Sequence, residues 1–260
     1  MAEVVLAASF EPLSSIALHV GTLHREVFEP AGFGRVEEKL PYSPPIERFG
    51  ERVKMPEFRF EMLGTATPPR FWFLNEAGSE LVQLQRDWVA HNWRRMPNDQ
   101  AYPRYPNLRA PFERHLRSIS DLVAAPGQGH IEITQCEVTY VNHINRSGVW
   151  TEPGDVDQVS RLWNRVEGFL PQPERVQFEA AYVIAGEDGP PRGRLHVALT
   201  PDHDPEKDEP RLVLTLTARG APSEPTIESA MEFLDLGHEW IVRGFRSIAT
   251  QPMRKAWGEL

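Results

Sequence analysis

Residues 83–95 read QLQRDWVAHNWRR. Aromatic and β-branched side chains alternate here with amides and charges, and a period of two over this length predicts one long strand, 80–94. Successive side chains on a pleated strand point to opposite faces. Val82, Leu84, Arg86, Trp88 and Ala90 then form one row, and Gln83, Gln85, Asp87, Val89, His91 and Trp93 form the other. If the even row meets helices, the odd row offers two amides, a carboxylate and an imidazole to solvent or to a partner. Gln83, Gln85, Asp87 and His91 are therefore the candidate contact surface, with Arg94, Arg104 and Tyr105 at its rim.

Working outward, residues 4–10 read as a strand and 14–28 as a helix burying Ile16, Val20, Leu23 and Val27. The Pro-, Gly- and Ser-bearing stretch 29–55, rich in Glu, reads as a long loop, unusual in a compact domain unless it covers something. Strands follow at 56–63 and 70–75, the latter joined to 80–94 through NEAGSE, and a helix over 107–124 buries Phe112, Leu116, Ile119 and Val123. The second half repeats the order. It has a strand at 131–144, a helix over 156–170, strands at 175–184, 192–200 and 210–219, and a helix from about Thr226 to Ala249 with Thr226 as N-cap.

Each half is thus β-α-β-β-β-α, which divides the chain into repeats 1–127 and 128–260. A three-stranded array has one apolar face that two helices can cover, and joining two arrays edge to edge removes two exposed edges. The expected fold is α+β: one curved antiparallel sheet, helices on one face, resembling the duplicated saddle of the TATA-binding-protein-like fold. A curved sheet gripping a single helix is the competing shape.

The 260 residues carry 28 basic and 37 acidic side chains, a net charge of -9, which argues against a surface built to follow nucleic-acid phosphate. The segment 86–117 is a local exception, with seven Arg against three acidic residues and interleaved aromatics. It reads as an anion or nucleotide platform or as a set of internal ion pairs. A single cysteine, Cys136, leaves no intrachain disulfide and no thiolate-rich metal site, and it reads as a buried structural thiol. No basic leader and no run of apolar residues long enough to span a bilayer is present, so a cytoplasmic setting is expected, with no membrane partner.

Nine histidines invite a metal or acid–base reading, but none falls in a ligand motif, so no metal and no cofactor is indicated. No catalytic residue is assigned. Asn92, Asn142, His143 and His238 form a candidate polar pocket, the basis for an alternative reading as a small-molecule binder or enzyme with a pocket between sheet and helices. The main expectation is an interaction module that binds a protein partner or a second copy of itself.

The strings RFWFLNEAGSELVQLQRDWVAHNWRR (70–95), YPRY (102–105), EVTYVNHI (137–144) and FLDLGHEWIVRGFRSIATQPMRKAWG (233–258) resemble a sporadically distributed bacterial family of uncharacterised proteins of about this length. The positions that carry the likeness include Phe73, Gln83, Gln85, Asn92, Tyr102, Tyr105, Tyr140, Asn142, His238 and Trp257. The resemblance implies the element layout and a bacterial origin, and it carries no mechanism.

Overall fold

The apolar residues Val4, Leu6, Ala8 and Phe10 are all buried, and they lie on the middle strand of a single sheet. In the computed structural model, which describes residues 1–13, 15–50, 68–97, 102–123, 131–186 and 189–257, that sheet is open and nine-stranded, with antiparallel neighbours. Its strands are β1 (Glu3–Phe10), β2 (Arg35–Lys39), β3 (Arg70–Leu74), β4 (Glu80–Gln85), β5 (Trp88–Arg94), β6 (Ile133–Asn145), β7 (Phe178–Ile184), β8 (Gly193–Asp204) and β9 (Glu209–Gly220). They lie in the order β2-β3-β4-β5-β1-β6-β9-β8-β7. The helices among the described residues are α1 (Ile16–Leu23), continued by a π-helical turn over His24–Phe28, α2 (Tyr105–Val123), α3 (Val156–Val159), α4 (Ile227–Ile248) and α5 (Gln251–Ala256). The chain is α+β, as the alternating and three-four patterns require.

Cross-strand partners share a face. Val4, Leu6 and Ala8 oppose Trp93, His91 and Val89 on β5, and Tyr140, Val138 and Cys136 on β6. Together with Phe73, Val82 and Leu84 and the buried sides of α1, α2 and α4, these apolar residues make one continuous core running through both halves. The intervening positions, Gln83, Gln85, Ala90, Gln135, Glu137, Thr217 and Arg219 among them, form the opposite, predominantly polar face.

Residues 80–94 are not one strand. They form the hairpin β4–β5, turned at Arg86 and Asp87, whose carbonyls accept the main-chain N–H groups of Leu13 and Phe10. Gln85 and Trp88 would lie on opposite sides of a continuous strand, but as hairpin partners they share one. Beyond the turn the rows therefore exchange places. Trp88, Ala90 and Asn92 join Gln83 and Gln85 on the polar face, and Val89, His91 and Trp93 go beneath the helices.

Two further expectations are corrected. The loop 29–55 contains β2, paired with β3, and its last residues, like the strand expected at 56–63, lie outside the described residues. The helix expected over 156–170 is only Val156–Val159. Main-chain bonds take the following residues away from helical pairing: Ser160 bridges Ala249, Arg161 N–H donates to the Ile248 carbonyl, and Thr250 N–H donates to that of Val159. Val166 and Phe169, which a helix here would place on its apolar side, are exposed. The last helix agrees with its reading: Thr226 Oγ1 caps Ser229 N–H, and Trp257 folds back to 5.0 Å from Phe245, ring to ring.

Candidate functional site

Gln85 on β4 and Gln135 on β6 both point from the polar face, and both are buried. What covers them is the chain's own segment 40–50. The Gln85 amide pairs with both main-chain groups of Tyr42, accepting from its N–H at 2.9 Å and donating to its carbonyl at 2.7 Å. Gln135 repeats the arrangement farther along, accepting from Glu47 N–H at 2.8 Å and donating to the Pro45 carbonyl at 2.8 Å. The segment therefore runs across the strands rather than along them, from the first half of the sheet to the second.

Its side chains are held as specifically. The Tyr42 ring sits 5.0 Å from that of Trp88, with the Arg70 guanidinium 5.7 Å away. Glu47 enters a cluster of basic side chains: Arg194 Nη1 at 2.6 Å, His196 Nε2 at 2.7 Å and Arg219 Nη1 at 3.6 Å. The Glu47 side chain is only 8% exposed. Burial pushes its carboxyl upward, but hydrogen bonds from His196 and Arg194 outweigh that and hold it below the usual range. Phe49 lies under the Arg194 guanidinium at 4.2 Å. Arg219 is itself steadied by Glu137, at 2.6 Å.

The predicted surface is only partly brought together. Gln83 and Gln85 share the polar face, but Gln83 donates to Asn92 Oδ1 at 2.8 Å, and Asn92 in turn donates to Glu3. Asp87 sits in the hairpin turn and accepts from Gln85 Nε2. His91 is on the other face, buried beneath the helices and bonded to Glu80 at 3.0 Å. Arg94 closes the β3–β4 turn through the Gly78 carbonyl. Tyr105 is not at the rim. Arg104 precedes α2 at a left-handed φ of 70°, and Tyr105 is buried at the start of α2.

The candidate pocket residues are dispersed for the same reason, since adjacent strand positions face opposite ways. Asn92 and His143 lie on the polar face, while Asn142 lies on the helix face. His143 lines a cleft of about 520 Å³ with Glu3, Arg94 and Arg211. His238 stacks on Tyr105 at 4.0 Å and bonds through Nδ1 to the Tyr140 hydroxyl, which meets that of Tyr102 at 2.8 Å. In the Arg-rich segment, Arg109 makes a fork-on-carboxylate contact with Asp235 and also pairs with Glu113, while Arg117 pairs with Glu113 and Glu228. These two arginines tie α2 to α4. Cys136 is fully buried, and burial raises its thiol pKa.

Sequence reasoning missed Gln135, Glu47, Arg194, His196 and Arg219 as parts of a site. The available signal was the length of the loop they hold. A second buried cluster was also missed: the His91 and His115 rings lie 5.5 Å apart, each with an Nδ1 that has no partner in the structure. Among the described residues no group of three or more His, Cys, Asp or Glu side chains could hold a metal ion, and no helix is long and apolar enough to cross a membrane.

Comparison with family models, curated proteins and solved structures finds no match for this chain.

Proposed function

We propose that the chain is an interaction module whose polar sheet face receives a protein partner, another copy of the chain included. The observation that carries this reading is the segment 40–50. A polypeptide lies on that face already, held by Gln85 and Gln135 through its backbone. Backbone-directed amides and a cation cluster are binding chemistry, and a purely structural sheet face needs neither. We place the protein in the bacterial cytoplasm and read the fold as a duplicated β-α-β-β-β-α saddle of the TATA-binding-protein-like kind. In support, β1 and β6 meet at the centre of the sheet, with β5, β4, β3 and the added edge strand β2 beyond one and β9, β8 and β7 beyond the other, so the first half carries one strand more.

The test uses the hairpin geometry of β2 and β3. Lys39 and Arg70 are cross-strand partners, so an Asn-Gly turn in place of residues 40–69 joins them directly and uncovers the face. A displayed library of random peptides selected on this stripped chain should yield ligands that Gln85→Ala and Gln135→Ala together weaken at least about ten-fold. Selection that yields only ligands indifferent to both substitutions contradicts the reading.

A second reading is favoured by one specific observation. A cavity of about 470 Å³ lies between β6, α4 and α5, lined by Tyr140, Asn142, Phe245, Arg254 and Trp257. The Nε of Arg254 is buried there without a partner in the structure. A small anionic ligand would satisfy it, which suits a small-molecule binder.

A further inference from the structure

We propose that the polar face recognises an extended peptide with an aromatic residue, a proline-stiffened spacer and a glutamate five positions after the aromatic, and that residues 42–49 fill this site in cis as a displaceable surrogate. The inference rests on the reading of the face as an interaction surface and specifies its ligand and its control.

Three features of the segment argue that it is held as a ligand is held. Its fixation does not come from hydrophobic burial: Leu40 is 85% exposed and Ile46 69% exposed, so its aliphatic side chains point to water. It is held instead by two glutamine amides that pair with main-chain N–H and C=O groups, a mode that reads an extended backbone whatever its side chains. Side-chain contacts that can select lie toward the two ends: Tyr42 against Trp88, and Glu47 among Arg194, His196 and Arg219 with Phe49 beside it under Arg194.

The spacing follows from the sheet. Three interstrand steps of ~4.8 Å, ~14 Å in all, separate β4 from β6. A proline-favoured extended chain rises ~3.1 Å per residue, so the four steps from Tyr42 to Ile46 cover ~12 Å, and the glutamine side chains supply the rest. Pro44 and Pro45 stiffen this span and lower the entropy lost on docking. The glutamate requirement follows from charge: two guanidiniums and an imidazole converge on one carboxylate, and with the segment displaced Arg219 keeps Glu137 while Arg194 loses its 2.6 Å carboxylate partner.

The segment is also built to leave. It leaves β2 at Lys39, and none of residues 40–50 belongs to a strand of the sheet, so lifting it off the face breaks no strand pairing. A partner peptide with the same chemistry competes with it directly, and the covered form is the resting state. The site is therefore self-inhibited, and its apparent affinity is reduced by the fraction of molecules in which the segment is docked.

The probe is a fluorescein-labelled peptide of residues 40–50, LPYSPPIERFG, titrated by fluorescence polarisation. Saturable binding to the stripped chain is expected, weakened at least ten-fold by Glu47→Ala in the peptide or by Arg194→Ala with Arg219→Ala in the chain. Binding to the intact chain is expected to be at least ten-fold weaker than to the stripped one. If the stripped chain does not fold, full-length Glu47→Lys, in which the segment is repelled from its cations, replaces it and should bind the same peptide more tightly than the intact chain. Absence of binding to a folded stripped chain, or equal binding of the Glu47→Ala peptide, overturns the proposal. If library-selected peptides bind the face while this peptide does not, the ligand chemistry is wrong and the interaction reading stands. If neither binds, both fall.

Discussion

Truncating Glu47 to alanine raises trypsin cleavage of the Arg48–Phe49 bond about a hundred-fold. Proteolysis of a docked segment follows the population of its open form when opening is fast, so the rate reports the opening equilibrium directly. Glu47 ties the segment to the second half of the sheet through charge, bonding Arg194 at 2.6 Å and His196 at 2.7 Å. Removing one member of a buried ion pair costs about 3–5 kcal/mol because the partner charge is left uncompensated. Here Arg194 and His196 keep some contact with water, at 24% and 36% exposure, so about 3 kcal/mol is the expected loss, equivalent to roughly a hundred-fold in opening. Glu47→Gln keeps the shape and some of the hydrogen bonding, and its effect should be nearer ten-fold. Global unfolding should be nearly unchanged in both, since the segment contributes little to the core. Cleavage at the original rate in Glu47→Ala would show that the cation cluster does not hold the segment.

Acidification should destabilise the whole fold through His115. This imidazole, on the buried side of α2, is 4% exposed and faces the ring of His91. Burial, then the neighbouring charges of His91 and Arg114, push its pKa from 6.5 down to about 3. The folded state therefore keeps His115 neutral while the unfolded chain takes up a proton below pH 6.5. The associated stability is complete above that pH, declines as the pH falls, and is wholly lost near pH 3, where the folded form also protonates. The full span corresponds to up to about 5 kcal/mol, of which about 2 kcal/mol is lost by pH 5. Urea unfolding of the chain and of His115→Leu at pH 7, 6 and 5 checks this. The variant's curve should be flatter by about 2 kcal/mol across that interval, whatever its stability at neutral pH, and parallel curves would contradict the assignment.

How much of this was legible in the sequence depends on where a pattern is local. Val4, Leu6, Ala8 and Phe10 on β1 announce their strand, and Phe112, Leu116 and Ile119 announce α2, because burial alternates with the period of the element itself. The hairpin inside 80–94 was not announced by turn chemistry. Arg86-Asp87 lacks the glycine or asparagine that marks a two-residue turn, and its conformation is fixed from outside, by the amides of Phe10 and Leu13. That single turn moved His91 from the proposed contact row into the core, and it brought Trp88 onto the polar face. The shortening of the helix after Val159 has a similar origin, since the main chain of Ser160 and Arg161 is engaged by residues at the end of α4, nearly ninety positions away. The site was half legible. Periodicity alone puts Gln83 and Gln85 on one face, and the length of 29–55 marks it as a segment with something to cover. The residues it would seek, Gln135, Arg194, His196 and Arg219, are spread over three strands of the second half, and no local spacing links them to Glu47.

The chain's own segment lies across the polar sheet face, held there by its backbone. Amide hydrogen exchange at Tyr42 and Glu47 reads this most directly, because Gln85 and Gln135 are the acceptors for these two N–H groups. Both amides should exchange at least about ten-fold more slowly than in the free 40–50 peptide, and the Gln85→Ala, Gln135→Ala double variant should abolish that protection while leaving the amides of β1 and β6 protected. Exchange of Tyr42 and Glu47 at free-peptide rates in the intact chain would contradict the account.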